Sequence, residues 1–422
     1  MLSSNKSILK KCLDLFLKIG PGIFAIGYTI GTGSVTSMIV AGSQFGMQLM
    51  WVLFLSCLFS WVLMEAYGRY AIVTGSTALY GFKNDLKFGK VIAILIIVGI
   101  TFGQWNSLIG ILGITSNAMY EMFKMFFPTL IGYEYITVLV IAIFIIGLMY
   151  LTLWRGSFSI FERILLLFVS LMGLSFLVSL FITSPSLGQL ASGMIPSIPD
   201  VEGGKMLVAA FVGTTMASAT FISRPLFIRG KNWGIENLKN QQKDAAWAAF
   251  LIFVICTAIM AVATGAMFNS GKTITRVLDM VLILQPLAGK FAVSIFFIGT
   301  MAAGLSSVFP ILMITPIMLA DYKNGKFDIK SKQFKLIAGV ACLIALSVPL
   351  LGSNPIKAQI LTQVLNVFVL PLVVISMFVL INRKDIMGSH KAGWKLNVGM
   401  LAAFAFACII SFNGAQAILE SL

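Results

Sequence analysis

Carboxylates and histidine are scarce in this chain. Its 422 residues include 15 Asp and Glu against 30 Lys and Arg, and the only histidine is His390. Five cysteines are scattered without a CxxC spacing, which argues against a structural zinc site or a disulfide framework. No nucleophile–base pair and no nucleotide motif is present, so neither an enzyme nor a bound cofactor is expected. The net charge of +15 does not mark a nucleic-acid partner, because no basic run is interleaved with aromatic residues in a polar segment. No small-residue cleavage site follows the N-terminal apolar stretch, which Lys18 and Gly20-Pro21-Gly22 interrupt, so a cleaved signal peptide is not expected. No polar stretch is long enough to form a soluble domain.

What the chain does have is apolar length. Hydrophobic residues make up 59% and charged residues 11%, and they alternate as apolar blocks of about 20 residues, the length that crosses a hydrocarbon core. Eleven spans are predicted, near 19–45, 47–68, 91–120, 132–153, 160–183, 205–228, 244–268, 285–319, 335–351, 358–382 and 396–419. The N-terminal tail and the loops after the even-numbered spans to the tenth, with Arg224 at the end of span 6, hold all of the 30 basic residues except Lys124, Lys205, Lys272, Arg276, Lys290 and Lys357. That bias puts the N-terminus in the cytoplasm and the C-terminus outside. The expectation is an all-α, multi-pass protein of the inner (plasma) membrane, a single transporter domain over 1–422. Its partners would be the bilayer and a small solute or ion, with no obligatory protein partner.

Two spans interrupt themselves. Residues 30 to 37 read IGTGSVTS inside a stretch, Ile19 to Met64, that has no charged residue; residues 212 to 225 of span 6 read VGTTMASATFISRP. Glycine weakens a helix and Ser/Thr offer its backbone other partners. A backbone break at membrane depth is tolerated only where it is buried in protein or lines a polar cavity. Taken alone, either stretch also reads as a kink or a close helix contact. Interrupted spans five apart are the pointer to an inverted-repeat transporter whose first and sixth helices are discontinuous, here expected to be unwound near Gly31–Ser34 and Thr215–Ala219. Repeat 1 would run over about 19–183 and repeat 2 over about 205–382, with a peripheral helix at about 396–419.

At this point the sequence resembles the Nramp (natural resistance-associated macrophage protein) family of LeuT-type-fold transporters. GPGIFAIGYTIGTGSVTSMIVAGSQFG looks like that family's first helix and RYAIVTG (Arg69 to Gly75) like the end of its second. FFIGTMAAGLSS (Phe296 to Ser307) is similar to the eighth, and LPLVVISMFVLINRKDIMG (Leu370 to Gly388) to the tenth and the loop beyond. The resemblance implies a 5+5 fold with an eleventh helix. It also implies a divergent member. The family's Asp-Pro-Gly-Asn metal motif falls on Gly31, Thr32, Gly33 and Ser34, and its Met-Pro-His on Ala217, Ser218 and Ala219. Met216 stands one position early, where a one-residue slip restores a sulfur. The family's third-helix acidic pair falls near Gln104 and Ser107, and a polar site position is retained at Gln363. Every one of the 15 acidic residues lies in a loop or within about two turns of a span end.

A divalent cation normally requires carboxylate oxygens, so their lack at mid-depth leads to the expectation of a small-anion transporter, with bicarbonate or a small carboxylate as substrate. The anion would sit among backbone N–H groups and the hydroxyls of Ser34, Thr36, Ser37, Thr215, Ser218 and Thr220. Arg224 would supply the positive complement, unless it snorkels to the surface. Na⁺ is the expected coupling ion, held near Ser306 and Ser307. The alternative is a divalent cation (Mn²⁺/Mg²⁺-type) carried mostly hydrated, on Gln363, Met216 and backbone carbonyls. A channel or a transport-dead sensor is a further alternative.

Overall fold

The computed structural model describes residues 21–155, 158–183, 187–197, 203–268, 277–325, 331–351 and 355–421. Lys18, Lys272, Arg276, Asp14, Asp200, Glu202 and Asp328, which entered the charge analysis, lie outside these residues. The principal helices are α1 (Gly22–Thr29), α2 (Thr32–Phe45), α3 (Met50–Thr74), α4 (Ala78–Asp85), α5 (Gly89–Phe126), α6 (Glu134–Arg155), α7 (Phe158–Thr183), α8 (Gly204–Thr215), α9 (Ser218–Gly230), α10 (Leu238–Ala266), α11 (Val277–Asn324), α12 (Lys332–Ala345), α13 (Pro355–Val367), α14 (Leu370–Asn382) and α15 (Trp394–Ser421).

Among the described residues, ten helical stretches are long and apolar enough to cross a bilayer, and the bent pair α1–α2 makes eleven. Each predicted span has a counterpart, but several helices overrun the apolar block that located them. α5 has 38 residues, about 57 Å at 1.5 Å per residue, and extends well beyond a hydrocarbon core of about 30 Å. Polar and basic residues at its ends, such as Lys90 and Lys124, are good helix formers, so hydropathy marks the membrane-embedded part and not the helix. α3 stops at Gly75, whose φ of 64° suits glycine and whose N–H closes on the Ala71 carbonyl.

Burial ranks the spans. The apolar window of span 6 (α8–α9) is 94% buried and that of span 8 (within α11) 78%, whereas span 11 (α15) is 28% buried. Every residue of α1 and nearly every residue of α2 is buried as well. Spans 1, 6 and 8 are therefore the centre of the bundle and α15 its periphery. The interrupted stretches are enclosed by protein on all sides, the condition under which lipid tolerates them. Stacked rings of Phe24 on α1 and Phe227 on α9, with centroids 3.9 Å apart, tie the two interrupted spans together at one end.

Candidate functional site at the paired helix breaks

The break in span 1 is a turn of 53° between α1 and α2. It lies at Ile30 and Gly31, with Gly31 extended at φ −103°, ψ −171°, and the helix resumes at Thr32. Unwinding was expected over Gly31–Ser34; instead Gly33, Ser34, Thr36 and Ser37 already belong to α2. The reason is local. The Val35 N–H reaches the Gly31 carbonyl at 3.0 Å, so one extended residue suffices to redirect the chain. Span 6 breaks at Met216 and Ala217 only, inside the expected Thr215–Ala219, and α9 begins at Ser218. Met216 N–H still closes on the Val212 carbonyl at 2.8 Å, and Thr220 N–H on the Ala217 carbonyl at 2.9 Å.

The two breaks meet. Thr214 Oγ1 donates to the Thr29 carbonyl at 3.1 Å and lies 2.6 Å from Ser34 Oγ, which also donates to the Thr29 carbonyl. The last carbonyl of α1 is thereby held by one hydroxyl from each interrupted span. On span 2, Ser60 Oγ donates to the Thr215 carbonyl at 2.7 Å, and on span 8 Ser307 Oγ donates to the Gly27 carbonyl at 2.8 Å. These hydroxyls take up carbonyls that a broken helix leaves without their usual partners.

A polar face from spans 3 and 10 closes the other side. Gln363 Nε2 and Gln359 Nε2 both donate to Ser107 Oγ, at 2.8 and 3.2 Å. Asn366 Nδ2 donates to Gln363 Oε1 at 3.3 Å and Gln104 Nε2 to Asn366 Oδ1 at 3.3 Å. Gly33 is where this face touches span 1: a Cβ there would lie 2.4 Å from Gln363 Nε2 and 2.7 Å from Gln359 Nε2. Of this set, Gln104, Ser107 and Gln363 stand out in the sequence. Gln359 and Asn366 do not, although residues 359, 363 and 366 recur at helical spacing on one face of an apolar span, which is the available signal. Thr214 was visible only as one hydroxyl in a cluster.

Around the breaks the hydroxyls of Thr32, Thr36, Ser37, Thr115, Ser218 and Thr220, with Gln359 Oε1, are buried and have no hydrogen-bond partner. An unpartnered buried hydroxyl costs on the order of 1–3 kcal/mol, so this concentration marks a place that a polar guest completes. The carbonyl ends of α1 and α8 both terminate here, each carrying roughly half a negative charge.

No group of three or more His, Cys, Asp or Glu is placed to hold a metal among the described residues. Among the described residues three carboxylates are buried, each within about two turns of a helix end. Glu121 pairs with Lys124 at 2.7 Å, Asp321 accepts the Leu79 N–H at 3.1 Å at the start of α4, and Asp244 accepts the Gly22 N–H at 2.9 Å at the start of α1.

Asp244 also corrects the reading of Arg224. The guanidinium neither faces the breaks as a free positive charge nor snorkels to the surface: it is 2% exposed and its Nη2 is 2.9 Å from Asp244 Oδ2. A neutralised cation offers an anion little. Ser306 and Ser307 lie where span 8 passes span 1, but their hydroxyls donate to the carbonyls of Ala303 and Gly27.

Comparisons with known proteins agree with one another. Residues 22–416 match the family described as "Natural resistance-associated macrophage protein-like". A "Divalent metal cation transporter MntH" of Clostridium acetobutylicum is 27% identical over 51% of this chain and 50% of its own length. A "Natural resistance-associated macrophage protein 2 homolog" of Dictyostelium discoideum is 25% identical over 97% of this chain and 64% of its own length. A second MntH, of Verminephrobacter eiseniae, is 24% identical over 93% and 87%. The chain thus spans about half to two thirds of the first two relatives and most of the third. Among solved structures, a manganese transporter of Eremococcus coleocola superposes with a TM-score of 0.73 at 14% identity, covering 96% of this chain and 86% of that one. A nucleobase–cation symporter, Mhp1, superposes with a TM-score of 0.59 at 15% identity over 94% of this chain and 93% of that one.

These matches overturn the small-anion expectation. The two MntH relatives are named as divalent metal cation transporters, and none of the relatives and structures named above points to bicarbonate or to a carboxylate. The reading also depended on Arg224, whose charge Asp244 has taken up.

Proposed function

Because this chain belongs to the Nramp family, built on the LeuT-type fold, we propose that it is a secondary transporter of a divalent metal cation with an altered site, working by alternating access around the breaks in spans 1 and 6. The observation that carries the proposal is the junction of the two breaks at the Thr29 carbonyl, in a chain that matches the family from residue 22 to 416. The site has no carboxylate to replace the water around the ion, so the ion travels with most of its hydration shell, as Mg²⁺ commonly does in proteins. Metal-bound waters are strong hydrogen-bond donors. The unpartnered hydroxyls of Thr32, Thr36, Ser37, Ser218 and Thr220, and Gln359 Oε1, accept from them. The Met216 sulfur and the carbonyl ends of α1 and α8 complete the surroundings, and Gln363 orients the amide face. Gly31, Gly33, Ala217 and Ala219 contribute backbone and space, and Thr215 remains bonded to its own helix through Phe211 at 2.6 Å. The protein operates in the plasma membrane with its basic loops on the cytoplasmic side.

The test is metal influx into proteoliposomes loaded with a divalent-sensitive dye. Saturable Mn²⁺ or Mg²⁺ entry, lowered by Gln363→Ala and by Met216→Ala, is expected. Entry no faster than in protein-free liposomes, with labelled bicarbonate taken up in parallel, would overturn the proposal.

A further inference from the structure

The outer face of the bundle carries a recess between α3, α10 and the start of α15, lined by no residue of the breaks. Along α3, Phe54, Leu58, Trp61, Glu65 and Arg69 follow at spacings of three or four residues and so form one stripe. α10 runs antiparallel beside it, with Phe253 and Phe250 at the apolar end and Gln242 at the polar end. The apolar part is a cavity of ≈ 190 Å³ walled by Phe54, Leu58, Trp61, Phe250 and Phe253. Trp61 also borders a second cavity of ≈ 580 Å³, whose polar walls are Glu65, Arg69, Gln242 and Lys395, with Trp394 beside them. A third, ≈ 300 Å³, adjoins through Phe250 and carries Lys243 and Trp247.

Length and charge say what fits. From Phe54 to Glu65 is eleven residues of helix, about 16 Å, which is the depth of one leaflet's hydrocarbon, half of a core of about 30 Å. At the polar end, Glu65 is already satisfied by Arg69 Nη2 at 2.5 Å and by Gln242 Nε2 at 2.9 Å. Arg69 keeps a buried Nε without a partner, and neither Lys243 nor Lys395 makes an ion pair among the described residues. The excess charge at that end is positive. Trp61, Trp247 and Trp394 are 42%, 61% and 73% exposed, aromatic rings at the level where membrane proteins meet the headgroups.

We infer that this recess binds an anionic glycerophospholipid from the leaflet next to the basic loops. One acyl chain lies between α3 and α10, and the phosphate meets Arg69, Lys243 and Lys395. Basic pockets between membrane helices recognise acidic headgroups through this combination of charge and depth. The site is independent of the transported ion.

Native mass spectrometry of the full chain, delipidated and titrated with phosphatidylglycerol and with phosphatidylcholine of the same chains, tests it. Phosphatidylglycerol should bind about tenfold tighter than phosphatidylcholine, each basic residue contributing a severalfold preference. Lys243→Gln combined with Lys395→Gln, both at exposed positions, should abolish that preference and leave phosphatidylcholine binding unchanged. Lys87→Gln with Lys332→Gln, exposed lysines outside the recess, should change nothing. Leu58→Trp, which fills the apolar arm, should weaken phosphatidylglycerol binding with the charges intact, and glycerol 3-phosphate should not displace the lipid. Equal retention of the two lipids by the unaltered protein, or an unchanged preference in the Lys243/Lys395 variant, overturns the inference. So does a delipidated dimer that Leu58→Trp dissociates, since that would give the recess to a second copy of the chain.

Discussion

Ser34 and Thr214, from helices separated by 180 residues of chain, sit 2.6 Å apart and both donate to the Thr29 carbonyl. That arrangement makes the two broken spans one unit at the depth of the breaks. Ser34→Ala and Thr214→Val should each destabilise by about 1 kcal/mol, and a double-mutant cycle should show a coupling of about 0.5–1.5 kcal/mol. Chemical denaturation in detergent measures it. Strict additivity would mean that the two hydroxyls do not act on one another through their common acceptor.

Gly33 is the contact between span 1 and the amide face. Gly33→Ala places a methyl 2.4 Å from Gln363 Nε2, so the amides must leave Ser107. The expected cost is about 1–3 kcal/mol, the usual range for overpacking, together with a loss of metal influx. Adding Gln359→Ala should recover part of both. Normal influx by Gly33→Ala alone would show that the amide face is not used.

Mn²⁺ should bind only weakly, with a dissociation constant on the order of millimolar, because neutral oxygens replace carboxylates. The family resemblance implies an Asp at the position of Gly31, whose Cβ would be 2.3 Å from Ser307 Oγ. Gly31→Asp is therefore best made together with Ser307→Gly. The pair should tighten Mn²⁺ binding by roughly tenfold or more, as a charged ligand contributes about 1.5–3 kcal/mol. Calorimetry decides, and unchanged affinity would place the ion elsewhere.

The Arg224–Asp244 pair is buried to 2% and 5% side-chain exposure. Asp244→Ala should cost about 3–5 kcal/mol by stranding the guanidinium, whereas Arg224→Met with Asp244→Leu should be far milder. Thermal unfolding distinguishes the two, and equal losses would contradict a charge-based explanation.

The span count, the enclosure of spans 1 and 6 and the fold itself were legible because each rests on runs of residues: apolar blocks, basic loops and matching interruptions. The partners of individual side chains were not. Arg224 reads from sequence as a lone cation near a break, and only packing brings Asp244, twenty residues on, against it. Gln359 and Asn366 were overlooked because one amide in an apolar span is ordinary helix–helix glue, and their meaning comes from Ser107 and Gly33 across the interface. The break in span 1 fell slightly early because Gly-Thr-Gly-Ser gives no sign of which residue leaves the helix, a matter settled by the Gly31 carbonyl and Val35 N–H.

Asp244 holds the first N–H of α1 and the guanidinium of Arg224 with one carboxylate. Three elements, α1, α9 and α10, therefore share one carboxylate. Displacing any one of them alone would strip a partner from a buried charge or from a helix end, so the three are expected to move together at this end of the molecule.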